Sequence, residues 1–410
     1  MSEGDGPSER GRTAIFSVAE IEARQARLRE RLEQSGLDAF LATSYPNSYY
    51  ISGAPIHPFG RPMATLVPLR SEPVMALSII EIEHVRLQSP IADLRPYWDF
   101  NSTPEVGTPR PPMDSLLVHL RAAVADRGLE RATIGYEDAT LPDRHLRAIR
   151  EALPAVAWVP ASDLVDRLRL VLSAEELAIL RDADRVADAG QRAILDTIGA
   201  GVTAAELHAA AMAAMEAAMV AQRPDAAFAL RVTPGPAHPE RIAGHSEWRN
   251  FGPTDVARDG DVLVSVLDAI VWGYTGNVER TTVIGEPSAR VRRDFATMVE
   301  ANERAIEAVR PGLTVRELDA ACKAVFSAAG HGTRTGSGVG RGLISYEGNH
   351  RILGLDLRPY NDLVLEPGMA ISIEPDLQTG DGTYRHCNTI IVTDDGCVVD
   401  STIERGIIVR

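Results

Sequence analysis

Two glutamates interrupt stretches that otherwise have the composition of buried strand. Glu279 lies in Gly273-Tyr274-Thr275-Gly276-Asn277-Val278-Glu279-Arg280-Thr281, a polar segment between two apolar runs, and Glu374 ends Ile371-Ser372-Ile373-Glu374-Pro375. A buried carboxylate costs several kcal/mol unless it is paired or hydrogen-bonded, so both side chains need partners. A structural ion pair would meet that need, for instance Glu279 beside Arg280. A functional site is the competing explanation, since perturbed carboxylates occur in both settings. Other chemistries have no signature here. The sequence holds no phosphate-binding glycine loop, no Cys/His zinc spacing and no Gly-x-Ser-x-Gly nucleophile elbow.

Local signals define the elements that carry these residues. Residues 1–14 are polar and glycine-rich and are expected to form a loose arm. Ser17-Val18-Ala19-Glu20 has the spacing of a reciprocal helix cap and opens a helix that stops at Gly36. Strands are expected at 38–43, 64–69, 74–78 and 133–136, with a helix near 113–127. That alternation makes residues 15–167 a small α/β domain. Three more caps of the same type, at Ser173, Thr203 and Thr314, open helices from about residue 173 onward. Strands follow at 262–271, 281–284, 369–373 and 389–392, with a hairpin turn at Asp395-Gly396. Residues 168–410 therefore form an α+β domain.

The chain has 410 residues, with 42 Lys+Arg against 57 Asp+Glu and a formal net charge of −15. That balance argues against binding to nucleic acid or an anionic membrane surface, both of which need a basic face. No apolar run reaches the roughly 18 residues of a membrane span. Three cysteines are too few for a disulfide framework, and a cytoplasmic location is expected.

The order of the polar segments carries a resemblance. Tyr274 to Thr281, then Gly336-Ser337-Gly338-Val339-Gly340, then Leu365-Glu366-Pro367-Gly368 running to Glu374-Pro375, then Tyr384-Arg385 before Thr389-Ile390-Ile391-Val392, is similar to the pita-bread metallopeptidase family. That family includes methionine aminopeptidase, prolidase and creatinase. The resemblance implies a C-terminal pita-bread catalytic domain behind a smaller N-terminal creatinase/prolidase-like α/β domain. A peptidase of the family holds two metals with two Asp, one His and two Glu. Here the second Asp falls on Asn277, the His on Ser337 and the last Glu on Cys387; Glu374 is kept, and Asp268 stands near the first Asp. Two hard ions need more anionic oxygen than this set offers, so no metal and no other cofactor is expected.

The metal-free creatinase branch is the better match to the charged residues. Phe59-Gly60-Arg61-Pro62 resembles its N-terminal motif, which implies that Phe59 and Arg61 reach the active site and that Arg61 holds a substrate carboxylate. A second carboxylate-binding arginine falls on Arg351, and the two glutamates that grip a guanidinium fall on Glu279 and Glu374. Thr275, Ser337 and Cys387 fall on further substrate-lining positions. The catalytic histidine falls on His245 or His238, with His245 closer in spacing. Elementary chemistry is consistent with this set. Two carboxylates accept the fixed N–H donors of an amidinium, arginine forks fit a planar carboxylate, and one histidine can activate water and then protonate the leaving nitrogen. The expectation is a metal-independent hydrolase of a C–N bond in a small zwitterionic amidine or guanidine amino acid. It is expected to act as a homodimer whose N-terminal domain completes the partner's site. The alternatives are a metal-dependent Xaa-Pro-type peptidase with an altered site, and a lyase or binding protein of specialised metabolism.

Overall fold

The computed structural model describes residues 14–56, 61–98, 111–224, 228–232, 238–239, 254–332, 337–343, 355–379 and 382–410. The chain folds as two compact units, one up to Arg169 and one from Leu170. The expected N-terminal arm lies outside the described residues, apart from Ala14.

The first unit is a six-stranded mixed sheet. Its strands run in the order Asp93–Tyr97, Val74–Ser78, Ala64–Pro68, Ala39–Ala42, Thr133–Tyr136, Ala157–Pro160. The central three are buried along their whole length, which explains their uninterrupted apolar composition. The helix Val18–Ser35 begins with the Ser17 hydroxyl accepting from the Glu20 amide, but the reciprocal half of the expected cap does not form. Glu20 turns instead to Arg24, whose Nε donates to it at 2.6 Å. Arg24 is fully buried over the rings of Phe16 and Tyr50 and needs that counter-charge more than the exposed cap does. A helix at Tyr45–Ser52, capped by Ser44 with a proline in its first turn, has no amphipathic period because most of it is buried.

The second unit holds the expected α+β arrangement. One sheet is built on a long hairpin, Val262–Val271 with Tyr274–Val283, whose ten residue pairs run in unbroken register. Trp272 and Gly273 form the two-residue turn with φ of 48° and 82°, the left-handed pair that a tight hairpin requires. The polar segment that looked like a connection is therefore the second strand itself, buried throughout. Its polar side chains at 275, 277 and 279 alternate onto one face, where Asn277 and Glu279 find partners. The strand Ile408–Val409 joins the hairpin's edge in parallel with Thr282–Val283. A second sheet runs Asp356–Leu357, Gly338–Arg341, Ala370–Ile373, Asn388–Val392, Cys397–Val399. Helices Ala174–Thr197, Ala204–Gln222, Ala289–Ala308 and Val315–Ala328 complete the unit, and the caps at Ser173, Thr203 and Thr314 are all reciprocal.

The Ala174–Thr197 helix lies directly on the hairpin. A Cβ at Gly276 would sit 2.3 Å from the backbone of Ala183 and Asp184, so only glycine permits this approach. The same approach lets the Asn277 amide donate to Asp184 Oδ1 at 3.1 Å. Gly276→Ala must push the helix away and is expected to cost about 3 kcal/mol or more, measured by chemical unfolding. A cost below about 0.5 kcal/mol, the scale of an ordinary surface change, would contradict this packing.

Candidate active site

The two glutamates meet. Glu279 faces inward from the hairpin strand, and Glu374 directly follows the strand Ala370–Ile373, held by its amide donating to Ser337 O at 2.7 Å. Cys387 sits just before the strand Asn388–Val392 and bridges to Glu279 through two backbone hydrogen bonds of 3.3 and 3.1 Å. Ligand atoms of Glu279, Glu374 and Cys387 lie within 4.8 Å of one another.

The partner of Glu279 is not its neighbour Arg280. Strand alternation sends Arg280 to the opposite face, fully buried. There Nε donates to Glu404 O at 2.7 Å, and Nη1 to Glu279 O at 2.7 Å and Cys387 O at 2.9 Å. Nη2 donates to Asn388 Oδ1 at 2.8 Å and Ile403 O at 2.9 Å. Burial brings this guanidinium down to about 10, still a full charge near neutrality.

Arg385 holds the carboxylates. Its Nε lies 2.5 Å from Glu279 Oε2, and its Nη2 donates to Glu279 Oε1 at 3.2 Å and to Glu374 Oε2 at 3.1 Å. Arg341, at the end of the strand Gly338–Arg341, brings a second guanidinium. Its Nη2 donates to Asn277 Oδ1 at 3.0 Å and lies 3.7 Å from Cys387 Sγ and 3.8 Å from Glu374 Oε2. Asp268 lies opposite Asn277 in the hairpin and accepts from its Nδ2 at 2.7 Å.

The two carboxyl groups are driven apart. Burial pushes Glu279 up to about 7; Arg385 opposes the rise, and Glu374 and Asp268 add to it. Burial also acts on Glu374, but Arg385 and Arg341 outweigh it and hold this carboxyl below its usual range. Burial and both glutamates push the Cys387 thiol well up, so it is a neutral donor to Glu374 at 3.5 Å rather than a nucleophile. His386 is buried and held neutral, its ring edge-on to Phe295.

The remaining expected site residues are placed as follows. Thr275 is buried on the face shared with Asn277 and Glu279, and its hydroxyl has no hydrogen-bond partner among the described residues. The Ser337 hydroxyl donates to Asp319 at 2.9 Å, and Lys323 pairs with the same carboxylate, which commits it to the Val315–Ala328 helix. Arg61 lines a cavity of about 230 Å³ in the first unit, together with Thr43, Tyr45 and His145. Phe59, His245 and Arg351 lie outside the described residues, as does the side chain of His238. Sequence reasoning missed Arg341 and the role of Arg385. Arg341 stands between two glycines and Arg385 follows a tyrosine, and neither context marks a buried charge.

Comparison with known proteins fixes the family. The model of metallopeptidase family M24 matches residues 178–394, and that of the creatinase/prolidase N-terminal domain matches residues 24–171. This chain belongs to family M24. A probable dipeptidase, PepE, of Mycobacterium tuberculosis is 33% identical over 265 residues, 63% of this chain and 65% of that protein. The match thus spans just under two thirds of that relative. A creatinase of a Bacillus species is 26% identical over 93% of this chain and 90% of its own length. The solved prolidase of Pyrococcus horikoshii shares the fold, with a TM-score of 0.75 at 24% identity over 94% of this chain and all of that one.

An M24 metallopeptidase site implies metal, and the donors present do not fit it. Both Glu279 oxygens and one oxygen of Glu374 already face Arg385, and Arg341 stands among Asn277, Cys387 and Glu374. A divalent ion would have to displace a charged guanidinium before reaching any carboxylate of the cluster.

The carboxyl shifts carry a signed consequence. Glu279 is pushed from its ordinary 4.5 to about 7, so the folded state binds its proton more tightly than the unfolded chain does. The cost of ionising it appears as pH rises above about 4.5 and is fully present above about 7. Relative to Glu279→Gln, the wild type is therefore expected to lose stability across that window, on the order of 3 kcal/mol. Parallel pH profiles of unfolding for the two proteins would refute the shift.

Proposed function

We propose that this M24 protein hydrolyses the C–N bond of a small zwitterionic amino-acid derivative, and that the bond is the amide of a short Xaa-Pro-type peptide rather than an amidine. The observation that carries the choice is Arg385. With both Glu279 oxygens facing its guanidinium, the pair of free carboxylates that an amidinium needs is not present. Relatives named as dipeptidases and Xaa-Pro dipeptidases support the same choice. Glu374 stays ionised, and its Oε1, the oxygen turned to neither arginine in the contacts above, is assigned to the substrate's ammonium end. Arg61 and Arg351 are assigned to the substrate carboxylate, with Phe59 and Thr275 beside the ligand. His245 is assigned as the base for water and the acid for the leaving nitrogen. The guanidiniums of Arg341 and Arg385 on the carboxylates support a metal-independent reaction. A homodimer in which Arg61 serves the partner's site belongs to the same proposal.

The amidine alternative keeps one specific support, the creatinase match along nearly the whole of both chains. The two separate in one assay. Xaa-Pro dipeptides and carboxylate-bearing amidines and guanidines are incubated with chelator-treated protein and read by mass spectrometry. Cleavage of dipeptides alone is expected, with His245→Asn losing about 100-fold or more in kcat. Cleavage of amidines alone would replace this function with the amidine one. Dipeptide cleavage that stops with chelator and returns with metal would remove its metal-free part.

A further inference from the structure

Arg341 Nη2 occupies the position in the cluster that a bound ion would be expected to take. Three atoms of metal-ligating type surround it, from three separate segments: Asn277 Oδ1 at 3.0 Å, Cys387 Sγ at 3.7 Å and Glu374 Oε2 at 3.8 Å. Arg385 Nη2 makes a second such centre, 3.2 Å from Glu279 Oε1 and 3.1 Å from Glu374 Oε2. Glu374 Oε2 thus faces two cationic nitrogens and also accepts from the Cys387 thiol. Burial disfavours the charge on Arg341, but Glu374, Asp268 and Glu279 favour it, and Arg385 takes its own favourable interactions from the same two glutamates. A divalent ion beside either guanidinium would meet like-charge repulsion in a buried site that solvent screens poorly.

We propose that Arg341 and Arg385 are the resident cations of this centre, closing it to divalent ions, and that Arg341 alone masks a site for a single thiophilic ion formed by Glu374, Cys387 and Asn277. This rests on the metal-free reading of the site and not on the substrate. Ion uptake is measured without substrate, so either can fail alone. Removing the Arg341 side chain does two things. It leaves the acidic groups short of one positive charge, and it vacates the volume between the three donors. They must then draw in from 3.0–3.8 Å to the roughly 2.0–2.3 Å of zinc coordination. A thiol, a carboxylate and an amide oxygen suit zinc or cobalt better than magnesium or calcium.

The test uses the full-length protein dialysed against excess zinc, then against metal-free buffer, with bound metal quantified and cobalt absorption recorded. The wild type and Arg341→Lys are expected to stay far below one ion per chain, with no thermal shift on zinc addition. Arg341→Ala and Arg341→Gln are expected to retain about one zinc per chain. They should also give a thiolate–cobalt charge-transfer band that disappears when Cys387→Ser is added. Stoichiometric zinc or manganese in the wild type, lost in Glu374→Gln, would overturn the proposal. So would folded Arg341→Ala and Arg341→Gln that both remain metal-free. Should Arg341→Ala not fold, Arg341→Gln and the wild type decide the matter.

Discussion

Five N–H donors on one buried side chain hold the centre of the second unit together. Arg280 donates to the carbonyls of Glu279, Cys387, Ile403 and Glu404 and to the side-chain oxygen of Asn388. A guanidinium carries five donors in a fixed fork, so every one of them is answered. The acceptors belong to the hairpin, the second sheet and the C-terminal segment. Two are the backbone carbonyls of Glu279 and Cys387, whose side chains lie in the site on the other face. A buried charge with unmet donors would cost several kcal/mol, and that penalty keeps the three segments in one geometry. The positions of the carboxylate and the thiol follow from it.

On the site's own face the same logic is electrostatic. Buried Asp268 and Glu279 and part-buried Glu374 are gathered in one cluster, and Arg341 and Arg385 are inserted among them. The compensation is uneven: at Glu374 both arginines outweigh burial, while at Glu279 burial and two acidic neighbours outweigh the same two arginines. Environments that push two carboxyl groups apart leave one charged and one able to hold a proton near neutrality. A pair of that kind can bind a cation and exchange a proton without any metal charge.

Much of this was legible in the chain. The reciprocal caps at Ser173, Thr203 and Thr314 were local motifs that depend only on residues three apart, and each formed. Glu279 and Glu374 were conspicuous because carboxylates rarely end up among apolar strand residues unpaired. What the sequence hid was partnership over long separations. Arg385 lies 106 residues from Glu279 and Arg341 lies 64 from Asn277, and local pattern says nothing about either. Adjacency misled at Arg280, where a pleated strand puts neighbours on opposite faces. Adjacency also misled at Glu20, where a buried arginine one turn along outcompeted the cap. The strand Tyr274–Val283 looked like a connection because a face lined with partnered polar groups has the composition of a loop.

The parallel strand Ile408–Val409 against Thr282–Val283, and the carbonyls of Ile403 and Glu404 on Arg280, give the centre a late date of completion. While the chain is being synthesised, the hairpin can close by itself, since its turn is two residues long. Arg280 would then sit with some donors unmet until the residues beyond 400 have left the ribosome and docked. Pairings across more than a hundred residues are slow to form because the loop entropy is lost first. Completion of the Glu279–Cys387 centre therefore depends on residues more than a hundred positions after the hairpin.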